Sequence, residues 1–113
     1  MAKSRNKAVR VVDRTIVKAS VVGPGLDLGD YATLEVSIQR LDAGGATTGY
    51  VQLAHASVDE IASYVSLGTP VDVTGSATTV VQTLSHLRYV RWFSSAAVNG
   101  TPLMAIEIIA KEH

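Results

Sequence analysis

The sequence predicts an all-β fold: a single β-sandwich of the jelly-roll kind, preceded by an extended basic N-terminal arm. Short segments in which apolar and polar residues alternate with a period of two recur along the chain, as in strands that bury one face. Gly, Pro and Asn separate these segments at short intervals, which is typical of sandwiches and jelly rolls. No segment has the period of a long helix, so we expect no helix longer than about three turns.

Length and composition indicate one globular domain. The chain has 113 residues, of which 47% are hydrophobic and 18% are charged. It contains no cysteine, which excludes disulfides and thiolate metal ligands. No apolar run reaches about 18 residues and no secretory signal is visible, so we expect no membrane contact and synthesis in a cytoplasm.

The net charge is zero, but the charges are unevenly distributed. Residues 1–18 contain six basic residues and one acidic residue, whereas the remainder contains four basic and nine acidic residues. We therefore divide the chain into an extended arm, residues 1–12, and a sandwich domain, residues 13–113. The arm cations expected to bind a partner are Lys3, Arg5, Lys7 and Arg10. An acidic neighbouring subunit suits them, and nucleic acid is less favoured because the body is acidic.

Two hairpins are predicted from alternation and turn residues. Thr33 to Leu41 alternates most regularly, and Tyr50 to Ala56 follows a glycine-rich loop as its expected return strand. Asn99-Gly100 is a strong hairpin signal before the closing strand, Leu103 to Lys111. The residues expected to face the core are Leu34, Val36, Ile38, Val51, Leu53, Met104, Ile106, Ile108 and Ala110.

Between the hairpins we expect one helical turn, followed by a short strand that ends at a turn. Ser57 is the expected N-cap of one helical turn that ends near Ser63. A short strand, Tyr64 to Leu67, is then expected to end at a turn formed by residues 68–70.

Aromatic and cationic residues are interleaved in residues 85–93. This stretch predicts a central strand, with Arg88, Tyr89, Arg91 and Trp92 as its structural residues. The favoured interpretation is that the aromatics are core and the arginine stems lie along apolar surface. Two alternatives remain open: a recognition strand that stacks on a sugar or base, and a contact face for a partner subunit.

No motif predicts catalysis. The three histidines, His55, His86 and His113, are far apart and lack metal-ligand spacing. Asp59 and Glu60 are adjacent, so they would not face each other as an acid–base pair. No phosphate-binding loop or nucleophile elbow occurs. We therefore expect no enzymatic activity, no catalytic residues, no cofactor and no metal.

Several short elements resemble a pattern in small β-sandwich proteins of tailed bacteriophages. The elements are Ser57-Val58-Asp59, Tyr64-Val65-Ser66-Leu67-Gly68, Thr74-Gly75 and Leu87-Arg88-Tyr89-Val90-Arg91, followed by an apolar closing strand. The resemblance covers Thr33 to Lys111. The arginine-tyrosine strand is also similar to one in galactose-binding-like and discoidin-type sandwiches. The chain departs from the pattern at residues 60–64, where Glu-Ile-Ala-Ser-Tyr replaces the usual Gly and Trp.

The resemblance implies a virion structural protein without catalytic residues. With the basic arm, it leads us to expect a capsid decoration or cement protein that bridges subunits of the major capsid protein. A homo-oligomer is expected, with a trimer favoured because a shell offers three-fold axes. The alternative is a carbohydrate-binding or tail- or fibre-associated module. The residues leave open the position on the particle, the oligomer number and any glycan ligand.

Overall fold

The computed structural model describes residues 6–42, 49–73, 78–100 and 102–111. Within these ranges the chain forms eight strands and one short 3-10 turn, Ile61–Ser63. The strands are β1 (Asn6–Ile16), β2 (Leu26–Asp27), β3 (Thr33–Asp42), β4 (Tyr50–Ala56), β5 (Val65–Asp72), β6 (Thr78–Ser85), β7 (Tyr89–Ser94) and β8 (Leu103–Lys111). None of the described residues forms a helix long and apolar enough to cross a membrane.

The strands form two antiparallel four-stranded sheets. Sheet A has the order β1-β8-β3-β6, and sheet B has the order β2-β7-β4-β5. Apart from β4 and β5, strands that follow each other along the chain lie in opposite sheets. This is the strand order of a jelly roll. The all-β sandwich predicted from the sequence is confirmed.

Both predicted hairpins are wrong. β3 pairs with β6 and β8 in sheet A, whereas β4 pairs with β5 and β7 in sheet B. β7 and β8 likewise belong to different sheets. Gly100 does adopt a left-handed turn with a φ of 79°, but the turn lies on a connection that crosses from one sheet to the other. The glycine-rich residues 43–48 lie outside the described residues.

The core lies between the two sheets. All nine side chains predicted to face it are buried, which confirms the inward faces predicted for β3, β4 and β8. In sheet A, Val36 lies opposite Ile108. In sheet B, Leu53 lies opposite Trp92. The two inner faces thus meet as apolar layers, as in other aligned sandwiches.

The stretch of interleaved aromatics and cations forms β7, which lies between β2 and β4 in sheet B. The predicted central strand is confirmed, although it begins at Tyr89 rather than Leu87. Val90 and Trp92 face the core, whereas Tyr89 and Arg91 lie half-buried on the other face. Residues 86–88 precede the strand because the chain crosses there from sheet A to sheet B.

Much of the predicted arm is part of sheet A. Asn6 pairs with Lys111 and Arg10 with Glu107, so the described part of residues 1–12 is the first half of edge strand β1. Residues 1–5, including Lys3 and Arg5, lie outside the described residues. A division of the chain between residues 12 and 13 would cut β1, and a separate arm stays a prediction for residues 1–5.

The turn predicted at residues 68–70 is wrong, because β5 continues through it. Gly68 has a φ of 78°, in the left-handed region that glycine tolerates, and a Cβ there would lie 2.5 Å from Gln82 Oε1. Pro70 fits because β5 is an edge strand. The predicted N-cap is wrong as well: the 3-10 turn begins at Ile61, after Glu60, without a side-chain cap.

Candidate interaction surface

Exposed apolar side chains, an ion pair and a polar cleft all lie at one end of the sandwich. We call it the arm end, because β1 begins there and β8 ends there. In sheet A its edge runs across four paired residues, Asn6, Lys111, Thr33 and Ser85. In sheet B it runs across Asp27, Tyr89 and Ala56. The connections at residues 28–32, 57–64 and 86–88 therefore lie at this end.

Exposed apolar side chains gather at the arm end. Four of the seven large hydrophobic side chains that are exposed among the described residues lie on its connections or at the start of β5. We call them the arm-end patch: Val58 (48% exposed), Ile61 (82%), Val65 (58%) and Leu87 (46%). Exposed apolar groups that cluster on a soluble domain indicate an interaction site.

His55 connects two members of the patch. Val65 lies opposite His55 across the β4–β5 pair, and the backbone N–H of Leu87 donates to His55 Nδ1 at 3.1 Å. Burial, and secondarily the neighbouring His86, lowers the pKa of His55. A lowered pKa favours the neutral imidazole, which is the form that accepts a hydrogen bond from Leu87. The interaction fixes the position of Leu87 relative to Val65.

An ion pair lies beside the patch. Arg88 donates to both carboxylate oxygens of Asp27, at 2.9 and 3.1 Å, and the N–H of Gly29 donates to Asp27 Oδ1 at 3.1 Å. The hydrogen bond from Arg88, followed by that from Gly29, lowers the pKa of Asp27, and the positive charge of Lys7 acts in the same direction. Both side chains are exposed, so the pair adds little to stability. Its effect is to orient a charged rim at the arm end.

Replacing Arg88 by glutamine is expected to raise the pKa of Asp27 toward 3.8, the ordinary value of an aspartate, because the largest cause of the shift is removed. In the parent, the stabilisation linked to Asp27 is present above pH 3.8 and is lost as the pH falls through the lower folded pKa. A carboxyl NMR titration measures the shift. An unchanged titration of Asp27 would contradict the role given to Arg88.

A polar cleft of about 490 Å³ opens next to Leu87. Its hydrogen-bonding side chains are Asp27, Asp30, Tyr31, His86 and Arg88. The cleft offers carboxylate, imidazole, phenol and guanidinium groups within a small area. Such a set suits a polar ligand or the polar rim of a protein interface.

The connection at residues 57–64 is fastened against sheet B. The guanidinium of Arg91 lies 3.9 Å from the centre of the Tyr64 ring, and Tyr64 Oη donates to Asp59 Oδ1 at 2.6 Å. Burial, together with the hydrogen bond to Asp59 and its charge, raises the pKa of Tyr64 to about 12. Cation–π stacking of this kind restrains an exposed segment. The same segment carries Val58 and Ile61.

The structure brings together some of the residues singled out in the sequence and separates others. Arg88 pairs with Asp27 at the arm end, where the positive charge of Lys7 also acts on Asp27, and the Arg88 guanidinium lies 5.2 Å from the Tyr89 ring centre. Arg10 lies on the outer face of sheet A, 3.7 Å from Glu107. Trp92 is 8% exposed and belongs to the core, as expected, whereas Tyr89 and Phe93 lie half-buried on the outer face of sheet B and are not core residues.

Sequence reasoning missed the carboxylate partner and the arm-end patch. Asp27 and Arg88 are separated by 61 positions, so no local spacing signals their contact. Two members of the patch could have been found from the sequence, because Val58 and Ile61 are apolar residues within a polar connection. Among the described residues, no group of three or more His, Asp or Glu side chains is placed to hold a metal ion. His113, Thr74 and Gly75 lie outside them.

No protein-family model matches the chain, and no curated protein sequence matches it. Solved structures do share its fold. A cleaved adhesin domain of Lys-gingipain from Porphyromonas gingivalis is 16% identical with a TM-score of 0.59; the match covers 83% of this chain but only 63% of that domain. The SPBc2 prophage-derived protein YomS is 12% identical with a TM-score of 0.58, over 99% of this chain and 97% of YomS.

A chain in the structure of infectious bursal disease virus, Gx strain, is 7% identical with a TM-score of 0.52, over 99% of this chain and 34% of that one. At these identities the likeness concerns the fold alone. The chain is a jelly-roll β-sandwich module, and its structural neighbours include an adhesin domain, a prophage-derived protein and a viral chain.

Proposed function

We propose that this protein is a non-enzymatic structural component of a phage particle. It decorates the head shell and stabilises it by bridging neighbouring subunits of the major capsid protein. The observation that carries the proposal is the arm-end patch, four exposed apolar side chains at the end of the sandwich where β1 begins.

The patch has the anatomy of a protein interface. Interfaces combine an apolar centre with a polar, solvent-accessible rim. Leu87 and Val65 supply apolar area, and Asp27, Arg88 and Lys7 supply charges beside it. Residues 1–5 continue from the same end and carry Lys3 and Arg5. A second contact formed by this arm would be intramolecular once the patch is bound, which raises its effective concentration.

The structural neighbours support the assignment to a particle. YomS, which is prophage-derived, matches this chain over nearly the whole length of both proteins. Jelly rolls are common in viral coats and in lectins. We favour the head over the tail because the arm-end patch and the arm provide two contacts, which suits a protein that bridges neighbouring shell subunits.

Replacing Leu87 by aspartate is expected to abolish or strongly weaken binding to shells, because a charge enters the apolar centre of the interface. Purified protein is added to shells assembled without it, and binding is measured by co-sedimentation. Ile16→Asp is the matched control, since Ile16 is also 46% exposed but lies at the other end of β1. If both variants bind like the parent, the arm end is not the contact surface.

The same assay tests the arm. A variant that lacks residues 1–5 leaves β1 intact, and weaker, less salt-dependent binding is expected from it. Adding DNA as a competitor separates the two partners considered for the arm. Release of the parent protein from shells by DNA would favour nucleic acid as the partner of Lys3 and Arg5.

The polar cleft favours a second candidate, a carbohydrate-binding or tail- or fibre-associated module. Its carboxylates, His86 and Tyr31 are groups that hydrogen-bond sugar hydroxyls. Stacking platforms are less evident, because Trp92 is buried and Arg91 covers one face of Tyr64. A glycan-binding screen with the parent and with Asp30→Ala tests this candidate. Specific glycan binding lost in Asp30→Ala, without binding to shells, would place it first.

A further inference from the structure

The four edge strands of the sandwich differ in how they are protected. An unprotected edge presents backbone N–H and C=O groups to any strand that can pair with them. Along β1, two register shifts and the cations Lys7, Arg10 and Arg14 disturb regular pairing. β2 has only two residues. These two edges are poor templates for strand addition.

Along the edge of β5, a side chain of the same molecule already binds backbone groups. The side chain of Gln82 accepts from the N–H of Thr69 at 2.8 Å and donates to its carbonyl at 2.9 Å. Pro70 removes a backbone donor, and Gly68 lies at an irregular position of the strand. This edge is therefore blunted as well.

Among the residues that the structure describes, β6 has none of these protections. Its sequence, Thr-Thr-Val-Val-Gln-Thr-Leu-Ser, contains no charged residue, glycine or proline. It pairs with β3 over eight consecutive residues without a register shift. The outward-facing Val81 is 56% exposed, and the flanking Thr79 and Thr83 are exposed as well. β6 is a long, regular and uncharged edge rich in β-branched residues.

We propose that β6 pairs antiparallel with β6 of a second copy of this chain about a two-fold axis. The two A sheets then form one continuous eight-stranded sheet. The occupant is a second copy because the edge is uncharged and self-complementary, so that self-pairing brings no like charges together. The pairing goes beyond the proposed function and does not depend on it, and it gives a dimer in place of the trimer expected from the symmetry of a shell.

Side-chain direction restricts the register. Outward-facing residues of the two copies must share a face, so odd-numbered positions lie opposite odd-numbered positions. The register that buries the most exposed apolar side chain of β6 places Val81 opposite Val81 of the partner. Thr79 then lies opposite Thr83. β-branched cross-strand pairs of this kind stabilise a sheet.

The arrangement also orients the arm ends. β6 ends at Ser85, at the arm end, so antiparallel pairing directs the two arm ends to opposite sides of the dimer. One dimer would thus present two arm-end patches that face away from each other. Such a bivalent shape suits a protein that bridges two neighbours.

The absence of cysteine from the chain makes a cross-linking test direct. In the proposed register the two Val81 Cα atoms lie about 4.5–5.5 Å apart. Disulfides span Cα separations of about 4.4–6.8 Å, so Val81→Cys should form a covalent dimer on mild oxidation. Thr83→Cys places its two thiols about 13 Å apart along the strands and should not cross-link. Val22→Cys, at 52% exposure and outside both β6 and the arm-end patch, controls for random collision.

Light scattering during gel filtration tests the same contact without cysteine. The parent and Val22→Lys are expected to elute as dimers, and Val81→Lys and Val81→Glu as monomers. Mixing the two Val81 variants should restore the dimer, because opposite charges then meet at the two-fold axis. A monomeric or trimeric parent, or a dimeric Val81→Lys, would overturn the proposal. Loss of shell binding by Leu87→Asp is measured separately, so either proposal can fail alone.

Discussion

Replacing Trp92 by alanine is expected to lower the free energy of unfolding by about 3–5 kcal/mol. Trp92 lies on the central strand of sheet B, opposite Leu53, and is 8% exposed. Gly23 leaves room for the indole, since a Cβ at residue 23 would overlap Trp92 Nε1. The shortened side chain would leave a cavity that the surrounding strands fill only in part. Chemical denaturation followed by far-ultraviolet circular dichroism measures the loss, because Trp92 is the single tryptophan.

Phe93→Ala is the matched control for this prediction. Phe93 is the next residue of β7, faces the other side of sheet B and is only half-buried, with its ring edge-on to Tyr50 at 6.3 Å. Its replacement is expected to cost about 1–2 kcal/mol, since less area is removed from contact. Equal losses for the two variants would mean that Trp92 is not a core residue.

The fold class could be predicted because alternation depends on local geometry. Leu34, Val36 and Ile38 repeat every second residue, and a strand with one buried face requires that period. β8 shows the same pattern in Ile106 and Ile108. Each strand reports its buried face through its own residues, and no knowledge of the partner strand is needed.

Strand partners could not be predicted for the same reason. Alternation in β3 and β4 is compatible both with a hairpin and with strands on opposite sheets, since either arrangement buries one face. The path of the connection between β3 and β4 determines which arrangement forms. Its glycine-rich sequence is compatible with a tight hairpin and with a crossing to the other sheet. In the same way, Asn99-Gly100 predicts a tight turn without specifying that the chain changes sheet.

The candidate surface was visible only in part. The basic residues that were singled out include Lys7 and Arg88, both at the arm end, but their shared neighbour Asp27 comes from a distant strand. Exposure of Leu87 and Val65 is a property of the folded chain, because similar residues in β3 and β8 are buried. The sequence therefore identified the basic residues of the surface. Its apolar centre could be identified only in the folded structure, where the exposure of each side chain is known.

Replacing Gly49 by alanine is expected to lower the free energy of unfolding by about 2–5 kcal/mol, the combined cost of backbone strain and steric overlap. Gly49 has a φ of 92°, which side chains with a Cβ rarely adopt, and the added Cβ would lie 2.5 Å from the backbone nitrogen of Val98. That backbone has little room to move, since the N–H of Val98 donates to Ser95 and Val98 is buried. Gly49 in turn accepts from the N–H of Val73 at 3.1 Å.

Gly29→Ala provides the control for this backbone prediction. Gly29 lacks a left-handed φ, and its added Cβ would meet Arg88 Cγ and Asp27 Oδ1, each at 3.2 Å. Both belong to exposed side chains that can shift, so the change is expected to stay within about 0.5–1 kcal/mol of the parent. Thermal and chemical unfolding of both variants give the comparison. A Gly49→Ala variant as stable as Gly29→Ala would show that the chain at residue 49 relaxes to an ordinary φ. The close approach of Gly49 to Val98 would then not be required to hold the start of β4 against the connection that follows β7.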